Sequence, residues 1–273
     1  MAASNLAVRV ATAAVGAGVV IPLLFLVPAP GFFWLVLFAC GACAWEMHAM
    51  AAPGDVLPRL VTMAGAMSTA LAIYFRSDRP GVLLCVLVVA TIALGLAHLV
   101  RAKPIETVGT RFAISVAAIP YTGCLLPFVA LLHRPPLGPR WVILALVATW
   151  FADSGAYFAG RAFGRTKLAP SISPGKTVEG AIGGLACAVA GAVGVRWLLL
   201  RGTLPAPDAV AVGVIGGVLG PAGDLAESLL KRSFGVKDSG KLLPGHGGML
   251  DRVDALLFVA PAAWLWLRWR GVI

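Results

Sequence analysis

The chain has 273 residues, of which 59% are hydrophobic and only 12% are charged. Soluble globular domains carry about 25% charged residues and disordered chains have low hydrophobicity, so both classes are excluded. The five cysteines are few and odd in number, which argues against a disulfide scaffold. The net charge of the chain is +10. Basic loops that fix the topology of a membrane protein account for such an excess, so we expect no nucleic-acid partner. The composition predicts an all-α polytopic integral membrane protein.

Apolar segments long enough to cross a bilayer recur along the chain, separated by Pro, Gly and charged residues. They predict about nine transmembrane helices, near residues 6–28, 30–52, 58–75, 80–100, 112–133, 141–160, 178–200, 208–230 and 253–270. The third segment is short, so eight spans are the alternative. We divide the chain into residues 1–135, a set of N-terminal transmembrane helices, and residues 136–273, a C-terminal transmembrane region that carries the catalytic groups.

The distribution of Lys and Arg predicts the orientation of these helices. With nine spans, the N-terminus lies on the same side as the longer and more basic loops. Basic loops stay in the cytoplasm, so we expect the N-terminus and the polar loops there. Three glycine pairs at GxxxG spacing suit close helix packing, either within one chain or in a homodimer; they are Gly180 and Gly184, Gly213 and Gly217, and Gly216 and Gly220.

Ten charged residues are concentrated in residues 224–254, on both sides of a glycine-rich turn at 244–248. Helical spacing places four polar side chains on one face and two more acids on another; they are Asp224, Glu227, Ser228 and Lys231, then Asp251 and Asp254. Clustered carboxylates suit Mg²⁺, which prefers oxygen ligands and phosphate co-ligands, and the neighbouring Lys and Arg can neutralise phosphate oxygens. The alternative is a solvated loop of mutual ion pairs.

A second polar cluster occupies residues 153–180. Asp153 follows an apolar stretch and is a candidate site residue. The alternative is that it caps a helix or forms an ion pair. Lys176 and Thr177 immediately precede a predicted helix, whose N-terminus favours an anion. The Walker spacing is absent, because Pro170 stands where that motif requires glycine. Outside both clusters, Glu46 lies near the end of the second predicted span, where we expect it to reach the interface or to pair.

Residues 228–254 closely resemble the signature of the phosphatidate cytidylyltransferases, also called CDP-diacylglycerol synthases. The preceding Gly223-Asp224-Leu-Ala-Glu227, the stretch 153–165, and Ser173-Pro174-x-Lys176-Thr177-x-Glu179-Gly180 are also similar to that family. The sequence departs from the family pattern at Gly175, where Lys is common, and at Ala255, where Ser is common. The first change removes one cation, and neither removes a carboxylate.

The resemblance implies transfer of CMP from CTP to phosphatidic acid, giving CDP-diacylglycerol and pyrophosphate in phospholipid biosynthesis. The implied cofactor is Mg²⁺, either alone or with a second cation. The resemblance also implies a bacterial inner-membrane location with the active site facing the cytoplasm. Together with the clusters, it predicts catalytic roles for Asp224, Lys231, Arg232, Asp251 and Arg252. The predicted substrate-binding residues are Lys176, Thr177, Ser228, Lys237, His246, Gly247 and Gly248. The predicted metal ligands are Asp224, Asp251, Asp254 and Asp153.

Two alternative functions follow from the same residues. A related lipid kinase or nucleotidyltransferase would use a different lipid acceptor. A membrane transporter would instead place ionisable residues near the middle of several spans. The concentration of charge in two loops favours the enzyme, whose partners would be CTP, phosphatidic acid and membrane lipids.

Overall fold

A computed structural model describes residues 18, 20–243, 245 and 247–273. Within this part of the chain, helices dominate and one short hairpin is the exception. The predicted first span, 6–28, lies mostly outside the described residues, although 20–26 are helical. The helices that follow are α1 (Ala29–Ala51), α2 (Val56–Phe75), α3 (Pro80–Val100), α4 (Ile105–Gly123), α5 (Pro127–His133), α6 (Gly138–Phe163), α7 (Val178–Leu199), α8 (Ala206–Ser233) and α9 (Leu250–Trp269).

Seven helical segments of the described chain are long and apolar enough to cross a membrane, and one of them, Ile105–His133, combines α4 with α5. The all-α polytopic fold is therefore confirmed. Helix α9 is not among the seven; three charged residues, Asp251, Arg252 and Asp254, lie in its first two turns. The total of nine spans stays a prediction.

The chain divides into two compact units, and neither is continuous in sequence. The first contains Met1–Ala130 and Phe234–Arg252, and the second contains Leu131–Ser233 and Val253–Ile273. The segment at 234–252, which carries most of the signature, thus belongs with the N-terminal helices. The functional division at residue 135 stays a prediction.

In the first unit, α1, α2 and α4 pack against one another, and α3 packs on α2 and α4. Helix α3 buries little of its surface, and its exposed side chains are aliphatic, as in a helix that faces lipid; they include Leu84, Val88, Val89, Ile92 and Leu96. Buried polar groups tie the other helices together. Arg111 of α4 forms an ion pair with Asp55, and His48 of α1 shares a 2.8 Å hydrogen bond with Ser115 of α4.

In the second unit, α6, α7 and α8 pack closely along their lengths. Glycines allow these contacts, because a side chain at Gly213 or Gly217 would overlap α7, and one at Gly216 would overlap Ala148 of α6. Gly180 and Gly184 of α7 meet the backbone of α6 in the same way. The GxxxG pairs are therefore used inside the chain, and a homodimer stays a prediction.

Candidate active site

A hairpin between α6 and α7 fixes the position of Lys176. Strands β1 (Lys167–Ala169) and β2 (Ser173–Thr177) pair antiparallel, where the sequence predicted only a loop. Thr177 caps α7, because its hydroxyl oxygen accepts a 3.1 Å hydrogen bond from the Gly180 N–H. The Glu179 carboxylate accepts the N–H groups of Arg165 and Thr166, both at 3.1 Å. Both ends of the hairpin are thereby attached to the start of α7.

Lys176 extends from this hairpin to the acidic face of α8. Its Nζ lies 2.8 Å from Oδ2 of Asp224 and donates a 3.3 Å hydrogen bond to the carbonyl oxygen of Pro221. The hydroxyl of Ser228, one helical turn after Asp224, donates to Oδ1 at 3.2 Å. The structure thus brings Lys176, from the second polar cluster, to the predicted helix face of Asp224 and Ser228, and both carboxylate oxygens of Asp224 have partners.

Two further carboxylates lie within electrostatic range of Asp224. Asp153 of α6 and Asp254 of α9 each interact with the Asp224 charge, and Asp254 also interacts with Asp153. The positive charges that offset them come from Lys176 and Lys231. Grouped acids beside apolar spans are costly unless cations or substrate compensate them, so the arrangement indicates a functional site.

A cavity of ≈ 450 Å³ opens between the hairpin and these acids. This volume is within the range of small-molecule sites in proteins. Its polar lining combines the Lys176 ammonium with carboxylates, and its apolar lining comes mainly from α6 and α7. The residues around it are Asp153, Ala156, Tyr157, Leu168, Ser173, Gly175, Lys176, Thr177, Gly180, Ala181, Pro221 and Asp224. The cavity therefore offers an ammonium and two carboxylates to a bound ligand.

A buried ion pair follows Asp224 along α8. Glu227 is fully buried and its Oε2 lies 2.5 Å from Nζ of Lys231, one turn further along α8. Lys231, a predicted catalytic residue, is itself only 8% exposed. Glu227 was not among the predicted site residues, although its helical spacing to Asp224 and Lys231 was visible in the sequence. Its structural effect is to balance the Lys231 charge inside the helix bundle.

In the first unit, Asp251 holds the signature loop closed. Its Oδ2 accepts three hydrogen bonds: from the Ser239 N–H and hydroxyl, both at 2.9 Å, and from the Gly248 N–H at 2.8 Å. Gly247 has a φ of 78°, and an added Cβ would lie 2.6 Å from the same oxygen. Asp251 thus has a clear structural role, and its metal and catalytic roles stay predictions.

Comparison with known protein families extends the resemblance from the signature to nearly the whole chain. A sequence profile of the cytidylyltransferase family matches residues 7–269. The chain belongs to the cytidylyltransferase family. The resemblance found in the signature and in residues 153–180 is therefore confirmed at the level of the family.

Several relatives of this chain are named phosphatidate cytidylyltransferase. The protein of Bacillus subtilis strain 168 is 43% identical over 148 residues, 54% of this chain and 55% of the relative. The protein of Thermotoga maritima is 42% identical over 173 residues, which are 59% of this chain and 61% of the relative. The protein of Brucella suis is 50% identical over 135 residues, which are 48% of this chain and 47% of the relative. The matched region thus spans about half the length of these relatives.

The predicted site residues of this family member fall into two groups, one in each unit. The second unit contains Asp153, Lys176, Thr177, Asp224, Ser228, Lys231, Arg232 and Asp254. The first contains Lys237, Gly247, Gly248, Asp251 and Arg252. The side chains of Arg232, Lys237 and Arg252 are exposed, so their predicted contacts with phosphate stay predictions. His246 lies outside the described residues.

Proposed function

We propose that this protein is a phosphatidate cytidylyltransferase, which transfers CMP from CTP to phosphatidic acid. An oxygen of the lipid phosphate attacks the α-phosphorus of CTP. The bond from that phosphorus to the bridging oxygen breaks, and pyrophosphate leaves with the electron pair. The observation that carries this proposal is the Lys176–Asp224 ion pair beside the cavity, in a chain that matches the family profile over residues 7–269.

The chemistry of these residues suits an attack by one anion on another. The attacking lipid phosphate is already ionised, so no strong general base is needed. The barrier is electrostatic, and cationic side chains lower it by neutralising phosphate oxygens and aligning the two substrates. Lys176 exchanges its contact with Asp224 for a phosphate of CTP. Thr177 and the N-terminus of α7 add dipole and hydrogen-bond donors for the same anion.

The carboxylates of the second unit fit the requirements of Mg²⁺ for oxygen ligands. Among the described residues, no three His, Cys, Asp or Glu side chains converge closely enough to hold a metal by themselves. Magnesium in phosphoryl-transfer sites is commonly held by one or two carboxylates together with substrate phosphates. Asp224 with Asp153 or Asp254 would hold it, and the bound ion would neutralise charge on the triphosphate.

We further propose a bacterial inner-membrane location with this site facing the cytoplasm. The basic character of the loops around the site supports that orientation. Asp153 and Asp224 lie on α6 and α8, which are both candidate membrane spans. The site is therefore reached by a lipid from within the bilayer, while CTP arrives from the water-filled side.

Purified protein given CTP and phosphatidic acid should form CDP-diacylglycerol and pyrophosphate in equal amounts. EDTA should stop the reaction, and added Mg²⁺ should restore it. Labelled CTP with lipid extraction measures the product, and diacylglycerol in place of phosphatidic acid is the control. Labelled phosphate on diacylglycerol would instead indicate a lipid kinase. Failure to turn over CTP with any phosphorylated lipid, together with ion flux in vesicles, would favour a transporter.

Replacing Lys176 by Met should lower kcat/KM for CTP by about 10- to 150-fold. This range follows from the roughly 1.5–3 kcal/mol that a charge-assisted hydrogen bond contributes. Lys167→Met is the matched control, because Lys167 lies in the same hairpin but its Nζ donates to the Pro174 carbonyl, 2.8 Å away, outside the cavity lining. Equal kinetics in the two variants would show that Lys176 does not contact substrate.

A further inference from the structure

Glu46 is buried at the point where the signature loop meets α1. Its exposed fraction is 5%, and the helix that carries it, α1, is a candidate membrane span. Its Oε1 accepts the Met249 N–H at 3.0 Å, and its Oε2 accepts the Leu250 N–H at 2.9 Å. The Ser239 hydroxyl oxygen lies 3.2 Å from Oε2, and its single proton can go either to Glu46 or to Asp251. Of the two roles expected from the sequence, reaching the interface or pairing, the buried carboxylate follows the second, and its partner is a segment about 200 residues away.

These bonds give α9 an N-terminal cap from another part of the chain. Leu250 is the first residue of α9, and the first N–H groups of a helix have no partner within the helix. A carboxylate at this position satisfies two such donors and interacts favourably with the helix dipole. The residue after Leu250 is Asp251, so the cap determines where the backbone that carries Asp251 lies.

The loop is also shaped to fit the Glu46 side chain closely. An added Cβ at Gly240 would lie 2.5 Å from Oε1 of Glu46, and one at Gly248 would overlap Oε2. The glycines at these positions let the loop backbone approach the carboxylate from two sides. Ser239 connects the two acids, because its hydroxyl lies within hydrogen-bonding distance of both Glu46 and Asp251.

We propose that Glu46 is a positioning residue that holds the signature loop and the first turn of α9 in the conformation required for turnover. The proposal rests on the proposed cytidylyltransferase function. Glu46 acts through the loop and not on the substrate, since its carboxylate contacts groups of Ser239, Met249 and Leu250. Loss of its cap should loosen this segment while the cavity around Lys176, built from other residues, is unchanged.

Glu46→Gln is the sharpest test, because the amide keeps the shape but has only one acceptor oxygen. In one orientation its NH₂ faces the Met249 N–H, and in the other it faces the Leu250 N–H. Asp55→Asn is the matched control: Asp55 is a buried carboxylate of the same unit, but it pairs with Arg111 and not with the loop. Both variants should weaken the unit, and only the first removes a hydrogen bond of the cap.

Hydrogen exchange followed by mass spectrometry measures the loop directly. In Glu46→Gln, amides of residues 238–251 should exchange at least about tenfold faster, while the same peptide in Asp55→Asn keeps the wild-type rate. Trypsin should cleave after the exposed Lys237 and Lys241 faster in the first variant only. Unchanged exchange and cleavage in Glu46→Gln would overturn the proposal.

Kinetics separate positioning from a purely structural role. We expect kcat of Glu46→Gln to fall by roughly 10- to 100-fold, as when an outer-shell partner of a site is removed, with KM for CTP changed less than about twofold. A looser loop with wild-type kcat would overturn the proposal. Absence of turnover in the wild-type protein would refute the proposed function instead, and the exchange result would still decide whether Glu46 holds the loop.

Discussion

Asp224→Asn should lower kcat by at least about 100-fold while the protein inserts and folds normally. The variant removes a negative charge that contacts Lys176 and interacts with both Asp153 and Asp254. Loss of a single preorganised electrostatic group at a reaction centre typically costs 100- to 1,000-fold. Steady-state kinetics with CTP and phosphatidic acid measure the effect, and thermal unfolding in detergent checks the fold.

Asp208→Asn provides a control on the same helix. Asp208 is 1% exposed, and its Oδ1 accepts hydrogen bonds from Trp266 at 3.0 Å and from Arg270 at 2.9 Å. Its loss of charge should lower Tm and leave kcat of the folded protein within about twofold, because Asp208 is not among the residues that line the cavity. A near-normal kcat in Asp224→Asn would remove Asp224 from the centre of the site.

Much of the fold follows from hydropathy alone. Seven of the eight spans predicted from 30–52 to 253–270 coincide with helices to within a few residues, because a run of apolar side chains in a bilayer must satisfy its backbone hydrogen bonds internally. One boundary was missed: the predicted span 112–133 is α4 followed by the separate α5. Pro120 and Pro127 lie around that break, and proline interrupts helical hydrogen bonding.

Helical spacing also predicted the local grouping of Asp224, Ser228 and Lys231, since side chains three or four residues apart share a face. The partners from other helices could not be found that way. Nothing in the spacing of α8 indicates that Lys176, 48 positions earlier, reaches Asp224. Such pairings depend on the tertiary packing of α6, α7 and α8, which glycine contacts permit but do not specify in sequence.

The position of Glu46 in the sequence already indicates a specific partner. A lone carboxylate inside an apolar span is costly, so it usually has a specific partner. The partner is a loop in the distant signature, and no local pattern could identify it. For Asp251, metal binding stays a prediction, and the contacts of its Oδ2 add a role in closing the loop that its place in the signature did not indicate.

Gly247→Val should be among the most damaging substitutions in the signature loop, with kcat reduced by about 100-fold. The φ of 78° is disfavoured for any side chain and most for a β-branched one. Such strain costs roughly 1–3 kcal/mol, about 5- to 150-fold in the population of the native loop. The added Cβ would also displace the Asp251 carboxylate that closes the loop.

Gly235→Val separates these two causes. Gly235 has a similar φ of 68°, but an added Cβ would meet no atom within 4 Å. It should therefore carry the backbone strain without the clash, and its kcat should fall less than that of Gly247→Val. We expect His246→Asn to be milder than Gly247→Val, because Asn still donates a hydrogen bond and the lipid phosphate needs no base. If His246→Asn were inactive and Gly247→Val active, the imidazole would have a direct chemical role. The backbone conformation at Gly247 and its contact with Asp251 would then not be required for turnover.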